Sequence, residues 1–270
     1  MKKKILAVTL GLVSAGFCVN EYMPVEKGKL EIDGGYSFAK ITGFYDEDGE
    51  KQDLANGVDP TLHGLPLQLK YGIFPGLDVE LAWTGIIGNE AAGDLGGFAQ
   101  PEIALKYGMA DIGAGAFVNL TLPFVTGNLD TPDDPAMGVS LGAVYGNRFG
   151  DFRATGMAAY KLNFENKDKF KDGNVLTVYL KPEAMWTEFI GTYLGLRYEM
   201  FGESESAGNG AKDDGYLLSV APGLNAQLLP NLAYEVNIPI TVMGKSNSPI
   251  INPNPSSWSI WASVYYTLGL

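Results

Sequence analysis

Apolar and polar residues alternate along most of the chain. The clearest stretch is 232–242, in which the even-numbered residues are Leu, Tyr, Val, Ile, Ile and Val, and the odd-numbered residues are Ala, Glu, Asn, Pro and Thr. A period of two residues is typical of a β-strand with one apolar face, whereas a helix would repeat every 3.6 residues. The pattern therefore predicts an all-β protein.

The same alternation marks about twelve segments separated by Gly, Pro, Asn and Asp clusters. A tilted strand of about 9 to 11 residues is enough to cross a bilayer, and most strands of soluble domains are shorter. The predicted strands lie near residues 28–41, 62–73, 77–87, 98–109, 112–125, 136–148, 151–164, 174–186, 188–201, 215–228, 231–242 and 257–270.

Short and long connections alternate between these segments. The short ones contain Pro75-Gly76, Ala110-Asp111, Phe149-Gly150, Thr187 and Leu229-Pro230. The long ones cover about 46–59, 88–97, 127–135, 165–173, 202–214 and 245–255. Tight periplasmic turns and longer external loops are typical of outer-membrane barrels. We therefore predict a transmembrane, antiparallel, up-and-down β-barrel of about twelve strands in the outer membrane of a Gram-negative bacterium, with both termini periplasmic.

The N-terminus has the features of a secretory signal peptide. Three lysines precede the apolar run 5–13, and the small residues Ser14, Ala15 and Gly16 follow. We assign residues 1–15 to the signal peptide, with cleavage as late as about residue 20 left open, and residues 16–270 to a single barrel domain. Cys18 is the only cysteine, so the chain has no partner for an intrachain disulfide.

Net charge restricts the partners. Removal of residues 1–15 takes away three lysines and changes the formal charge from −12 to −15. Nucleic acid would be repelled by such a chain and is excluded as a main partner. The expected partners are outer-membrane lipid, the barrel-assembly machinery and a small-molecule solute.

Charged residues of both signs recur on the polar face of the predicted strands. Because charges are costly in hydrocarbon, they should line water or pair inside the barrel. An alternative is the solvated face of a soluble sheet. We expect pairs across short turns, such as Lys70 with Asp78 or Glu80. Glu31 and Asp33 share this face, and the candidate lumen-lining residues are Lys70, Asp78, Glu80, Glu102, Lys106, Arg148, Arg153, Lys161, Lys181, Glu183, Arg197, Glu199 and Glu235.

Aromatic residues near predicted strand ends fit the interfacial girdles of a membrane barrel. They include Phe44, Tyr45, Tyr71, Phe74, Tyr145, Phe149, Phe152, Trp186, Phe189 and Trp258.

Catalytic and metal-binding signals are weak. His63 is the only histidine and is followed by Gly64-Leu65-Pro66, so we interpret it as a rim or loop residue rather than a catalytic base. Asp46, Glu47 and Asp48, and likewise Asp130, Asp133 and Asp134, lack EF-hand spacing and are interpreted as solvated acidic loops. We predict no enzyme activity, no cofactor and no metal.

The turns carry a repeated motif. Lys70-Tyr71-Gly72 precedes Ile73-Phe74-Pro75-Gly76-Leu77-Asp78, and Lys106-Tyr107-Gly108 and Val144-Tyr145-Gly146 repeat the pattern. These hairpins resemble those of the outer-membrane family named after the phenol-degradation meta-pathway, also described as transporter-like barrels. The resemblance implies a barrel that moves small, often hydrophobic, compounds.

Four functions are therefore compared. The first is a channel or transporter for small solutes, in which the inward charges set selectivity. The second is a structural or adhesive surface barrel whose lumen is closed by salt bridges. An outer-membrane lipid hydrolase and a soluble secreted β-sandwich rank below these two. The sequence does not specify the solute.

Overall fold

The computed structural model describes residues 24–92, 94–127, 135–206, 208–210, 213–247 and 254–269. The predicted signal peptide, Cys18 and the aspartates Asp130, Asp133 and Asp134 lie outside these residues. Among the described residues, no helix is long and apolar enough to cross a membrane.

Twelve barrel strands follow one another along the chain, and the eleventh is interrupted at Ile238 and Pro239. We number them β1 Lys29–Tyr45, β2 Thr61–Phe74, β3 Leu77–Gly88, β4 Glu102–Met109, β5 Ala114–Thr121, β6 Gly138–Phe149, β7 Phe152–Asn163, β8 Val175–Met185, β9 Ile190–Phe201, β10 Gly215–Leu229, β11 Leu232–Asn237 with Ile240–Ser246, and β12 Asn254–Gly269.

Each strand pairs antiparallel with its neighbours in the chain. The last strand also pairs antiparallel with the first, from Lys29 opposite Gly269 to Tyr45 opposite Asn254, with one irregularity between Ile41 and Gly43. This seam closes the sheet. The predicted fold class, a closed antiparallel barrel of twelve strands in simple sequential order, is confirmed.

The two ends of the barrel differ as the sequence pattern predicted. At one end, the turn end, neighbouring strands are joined by short links, such as the two residues between Phe74 and Leu77. The connections at the other end, the loop end, are longer and carry small accessory strands. These accessory strands are Lys51–Asp53, Gly96–Phe98, Phe170–Lys171, Glu205–Ser206 and Asn209–Gly210.

The outer wall is apolar. Side chains alternate between the two faces of each strand, because successive residues of a strand point in opposite directions. In β2, for example, Leu62, Gln68 and Lys70 are buried, whereas Leu65 and Tyr71 are exposed. The exposed wall residues include Leu81, Leu105, Val118, Leu141, Val178, Leu194, Val236 and Ile260. The core of this molecule therefore lies inside the barrel, and its outer surface is suited to hydrocarbon.

Exposed aromatic side chains surround the turn end of the outer wall: Tyr71, Phe74, Tyr107, Tyr145, Phe149, Phe152, Trp186 and Phe189. Tyr45 departs from the expected girdle because it points inward. It is buried at the loop end, and its hydroxyl donates to the backbone oxygen of Thr241 at 3.4 Å.

Inward-facing aromatic rings lie over glycines of the neighbouring strand. A side-chain carbon at Gly142 would overlap the ring of Phe117, and one at Gly223 would overlap the ring of Tyr193. The missing side chain on one strand thus makes room for the ring on the next.

Candidate functional site

Most of the predicted lumen residues occupy inward-facing positions. Those that are buried or half-buried are Lys70, Asp78, Glu80, Glu102, Lys106, Arg153, Lys161, Lys181, Glu183, Arg197, Glu199 and Glu235. Arg148 differs from this group. It is exposed at the turn end, and its Nε donates to the backbone oxygen of Gly150 at 2.9 Å, which places it at the rim.

One group of ion pairs, the β1–β4 cluster, consists of Glu31, Asp33, Lys70, Asp78, Glu80 and Lys106. The ammonium of Lys70 lies 2.7 Å from both Glu31 and Asp33 on β1. The ammonium of Lys106 lies 2.9 Å from Glu80 and 3.9 Å from Asp78. We expected Lys70 to pair across the short turn with Asp78 or Glu80 of β3, but its salt bridges run to Glu31 and Asp33 of β1. Each lysine is held by carboxylates of a neighbouring strand.

A second group, the β7–β11 cluster, consists of Arg153, Lys181, Glu183, Tyr193, Asn225 and Glu235. Lys181 Nζ lies 3.1 Å from Glu235 and 4.0 Å from the centre of the Tyr193 ring. The hydroxyl of Tyr193 also donates to Glu235. Strands β9 and β10 separate β8 from β11 in the wall, so the bridge between Lys181 and Glu235 crosses part of the lumen.

Glu183 is the second acceptor of this cluster. Its carboxylate is almost completely buried and receives hydrogen bonds from Arg153 and from Asn225. The side chain of Arg153 remains 37% exposed. Arg153 is therefore the most exposed charge of the β7–β11 cluster, and a solute in the cavity would meet it before Lys181, Glu183 or Glu235.

Tyr265 of β12 joins the two clusters. Lys70 Nζ lies 5.8 Å from the centre of its ring, and both Tyr265 and Glu235 line the same cavity. A belt of charged and hydroxyl groups therefore crosses the half of the lumen nearer the turn end. Opposite charges at hydrogen-bonding distance offset the cost of burying each of them.

A cavity of about 390 Å³ lies at the turn-end side of this belt. Its lining combines charged and amide side chains, among them Arg153, Lys181, Glu183, Asn225 and Glu235, with apolar ones such as Met185 and Phe189. A cavity of this size with several polar partners can hold water and a small solute.

Toward the loop end the lumen holds fewer ion pairs. Arg197 lies 2.6 Å from Glu199 on the same strand. Glu102 receives hydrogen bonds from Asn119 and Thr121 at 2.8 and 3.3 Å. None of the described residues forms a salt bridge with Lys161, which makes it a useful reference for the paired lysines.

An apolar cap closes the inner wall at the loop end. We define it as Ala39, Leu62, Ile86 and Trp261 of the wall with Ala92, Leu95, Ala99 and Val125 of two loops. The loop after β3 is turned into the barrel by Asn89, whose Oδ1 accepts the N–H groups of Thr61 and Ala92 at 3.1 and 2.9 Å. The interior near the loops thus contains an apolar cluster, whereas the two larger groups of ion pairs lie nearer the turns.

His63 faces outward from β2. Its Nδ1 lies 2.6 Å from the hydroxyl of Tyr36, and its ring packs 5.3 Å from that of Phe38. It is therefore a strand residue of the outer wall, with aromatic neighbours. Among the described residues, no group of three or more His, Cys, Asp or Glu side chains is arranged to hold a metal ion.

Asp46 orders the first long loop. Its carboxylate accepts the N–H groups of Glu50 and Asp48 at 2.8 and 3.0 Å and the side-chain amide of Gln52 at 2.6 Å. These hydrogen bonds, that from Glu50 above all, lower the pKa of Asp46. This acidic loop residue therefore has a structural role.

Four uncharged partners in the lumen were not among the residues predicted from the sequence: Gln68, Tyr193, Asn225 and Tyr265. Their alternation with apolar neighbours placed them on the inner face, but amides and tyrosines are common in many environments. Only proximity to a buried carboxylate or ammonium distinguishes them.

Neither a protein-family model nor a curated protein sequence matches the chain. The COG4313 outer membrane channel from Pseudomonas putida F1 superposes with a TM-score of 0.75 at 16% identity, over 92% of this chain and 98% of that one. The beta domain of the Bordetella autotransporter BrkA gives a TM-score of 0.54 at 15% identity, over 88% and 99%. At sequence identities of 15 and 16%, these superpositions show a shared fold and nothing beyond it.

Proposed function

We propose that this protein is an outer-membrane channel for small solutes. The observation that carries the proposal is the combination of an apolar outer wall with a charged cavity of about 390 Å³ inside a closed barrel. A wall of this kind is stable in a bilayer only if its polar groups face inward. The fold shared with an outer membrane channel from Pseudomonas putida F1 supports the same conclusion.

In this proposal the turn end faces the periplasm and the loop end faces the outside, as in other outer-membrane barrels. A solute arriving from outside first meets the apolar cap. It must separate Ala92 and Ala99 from the wall residues Ile86 and Trp261 before it reaches the charged half. Apolar contacts favour a small solute with hydrophobic surface at this step, and Arg153 and its neighbours act on its charge at the next.

Purified protein in planar lipid bilayers and in solute-loaded vesicles tests the proposal. We expect ionic current and solute flux that require folded barrel. Arg153→Gln should shift the ion preference toward cations, whereas Arg148→Gln at the rim is the matched control and should shift it less. A folded barrel that gives neither current nor flux, even after the loops are trimmed, would disprove the channel.

A closed structural barrel is the second candidate. It is favoured by the deep burial of the pair Lys181–Glu235 nearer the turn end and by the apolar cap at the loop end. It predicts that breaking this pair changes stability without creating current. The bilayer measurement therefore separates the two functions.

A further inference from the structure

Two amide side chains of the lumen, Gln68 of β2 and Asn119 of β5, are oriented in the same way. Each donates its amide N–H to a glutamate of the next strand: Gln68 to Glu80 and Asn119 to Glu102, both at 2.8 Å. An ionised carboxylate only accepts hydrogen bonds, so these contacts fix which atom of each amide is the nitrogen. The carbonyl oxygen of each amide is therefore turned away from its glutamate.

These two carbonyl oxygens have no donor. None of the described residues donates a hydrogen bond to Gln68 Oε1 or to Asn119 Oδ1. Gln68 is 2% exposed and Asn119 is 8% exposed, so both side chains are more than nine-tenths buried. Buried polar atoms are nearly always paired, because an acceptor without a donor is costly. Two such acceptors on one stretch of the inner wall indicate a guest that donates hydrogen bonds.

Two small side chains leave room for a guest between these amides. Ala82 of β3 stands directly opposite both Gln68 and Glu102, and Ala104 of β4 stands directly opposite both Glu80 and Asn119. Inward positions lie about 5 Å apart across neighbouring strands and about 7 Å apart along one strand. Longer, oxygen-bearing side chains thus surround two methyl groups that are only half-buried. We call this site the alanine recess and define it as Gln68, Glu80, Ala82, Glu102, Ala104 and Asn119.

The alanine recess carries one negative charge without a counter-charge. The carboxylate of Glu80 lies 2.9 Å from the ammonium of Lys106, which neutralises it. For Glu102 the partners among the described residues are the uncharged side chains of Asn119 and Thr121. A half-buried carboxylate is stabilised by an opposite charge at hydrogen-bonding distance. One monovalent cation would supply it.

We propose that the alanine recess binds the ammonium group of a small cationic solute. Its three N–H donors match the two free amide oxygens and the carboxylate of Glu102, and its single charge balances that carboxylate. The proposal rests on the channel function above and names the solute class that the lumen selects. The recess lies on the loop-end side of the β1–β4 cluster, so a solute that has passed the apolar cap meets it before the cavity at the turn end.

Solution NMR of the folded protein in detergent micelles tests binding independently of current. Ammonium and methylammonium chloride should shift the side-chain amide signals of Gln68 and Asn119 until they saturate. Potassium chloride should not, because potassium has the charge and nearly the size of ammonium but no N–H donor. Saturation at the same concentration of potassium, or no saturable shift with any of these salts, would overturn the proposal. The recess would then respond to charge alone or hold only water.

Variants assign the binding to the recess. Glu102→Gln should weaken methylammonium binding by about threefold or more, since it removes the balancing charge. Glu199→Gln is the matched control: this inward carboxylate is already paired with Arg197 at 2.6 Å, so binding should be unchanged. Ala104→Leu fills the recess without changing its charge and should abolish the shifts. A heat-dependent mobility shift on gels identifies the folded variants, and an equal loss in Glu102→Gln and Glu199→Gln would contradict the assignment.

Lys161 of β7 supplies a test in the opposite direction. It lies two strands from Asn119 in the sheet, its Cε is beside Gly138 of β6, and none of the described residues forms a salt bridge with it. Lys161→Met removes this positive charge and should strengthen methylammonium binding. Weaker binding in that variant would count against the charge argument.

Reversal potentials in planar bilayers connect the site to transport. The permeability ratio of ammonium to potassium should exceed unity in the wild type and fall in Glu102→Gln. A ratio of unity in a conducting wild-type channel would overturn selection by the recess. Saturable ammonium shifts in a folded barrel that gives no current would instead overturn the channel function and leave the binding site in place.

Discussion

The salt bridge between Lys181 and Glu235 allows the sharpest test of how the lumen is stabilised. Both side chains are almost completely buried, with 6% and 9% of their surface exposed. Lys181→Met leaves the carboxylate of Glu235 buried without its ammonium partner. Removing one member of a buried pair typically destabilises a protein by about 3 to 5 kcal/mol. Because Tyr193 still donates to Glu235, we expect a loss near the lower limit, about 3 kcal/mol.

The double variant Lys181→Met/Glu235→Gln removes both charges and keeps an oxygen that can accept from Tyr193. Replacement of a whole buried pair is often nearly neutral, so the double variant should be more stable than Lys181→Met alone by about 2 kcal/mol. Urea unfolding in lipid vesicles, followed by tryptophan fluorescence and gel mobility, measures these differences.

Lys161→Met is the matched control, because Lys161 also faces inward but forms no salt bridge with a described residue. Its effect should stay within about 1 kcal/mol. Glu235→Gln alone completes the comparison. If the free energies lost in Lys181→Met and in Glu235→Gln simply add up in the double variant, the two charges are not coupled, and the reasoning from burial is refuted.

Three further predictions concern the wall and the loops. Leu65→Arg places a charge on the outer wall, where Leu65 is 55% exposed, and should destabilise the barrel in vesicles by about 2 to 4 kcal/mol. If this variant loses no more stability in vesicles than a variant with a substitution in a loop, Leu65 does not face lipid. Gly142→Ala should destabilise by about 1 to 3 kcal/mol because it displaces the ring of Phe117, whereas Gly156→Ala, with no atom closer than 3.8 Å, should cost much less in the same unfolding assay. Because the pKa of Asp46 is lowered, its ordering effect is complete above the ordinary pKa of aspartate and disappears as the pH falls through the lowered value. Hydrogen exchange at the amides of 46–50 should accelerate over that pH range, and Asp46→Ala, which removes the accepting oxygens, should show fast exchange already at neutral pH.

The sequence was sufficient for the wall of this barrel. Strand β11 shows why: its even-numbered residues from Leu232 to Val242 are all apolar, and a period of two allows only one face to contain them. The alternation of short turns and long loops then made it possible to predict that neighbouring strands are antiparallel and follow one another in sequence. Both signals are local, so they do not depend on how distant strands meet.

The interior was harder to predict. Lys181 and Glu235 lie on strands with two others between them, and their contact depends on strand tilt and barrel width, which no local pattern encodes. Lys70 could reach either of two neighbouring strands, and the choice of β1 depends on side-chain direction. The segment Pro24–Gly28, which precedes β1, shows no alternation at all. Its position depends on Gly72, because a side-chain carbon there would overlap the backbone oxygen of Glu26. This contact can be recognised only once the structure is known.

The seam between β1 and β12 has a consequence for the time course of folding. Its partners, such as Lys29 and Gly269, stand at opposite ends of the described chain, so this pairing has the largest sequence separation in the sheet. Long-range pairings form slowly, because the intervening chain must be ordered before they can contribute. Until Asn254–Gly269 arrives, the sheet has two open edges with unpaired backbone groups, and such edges invite pairing with other chains. Loss of the last strand should therefore prevent completion of the entire barrel and leave an aggregation-prone intermediate.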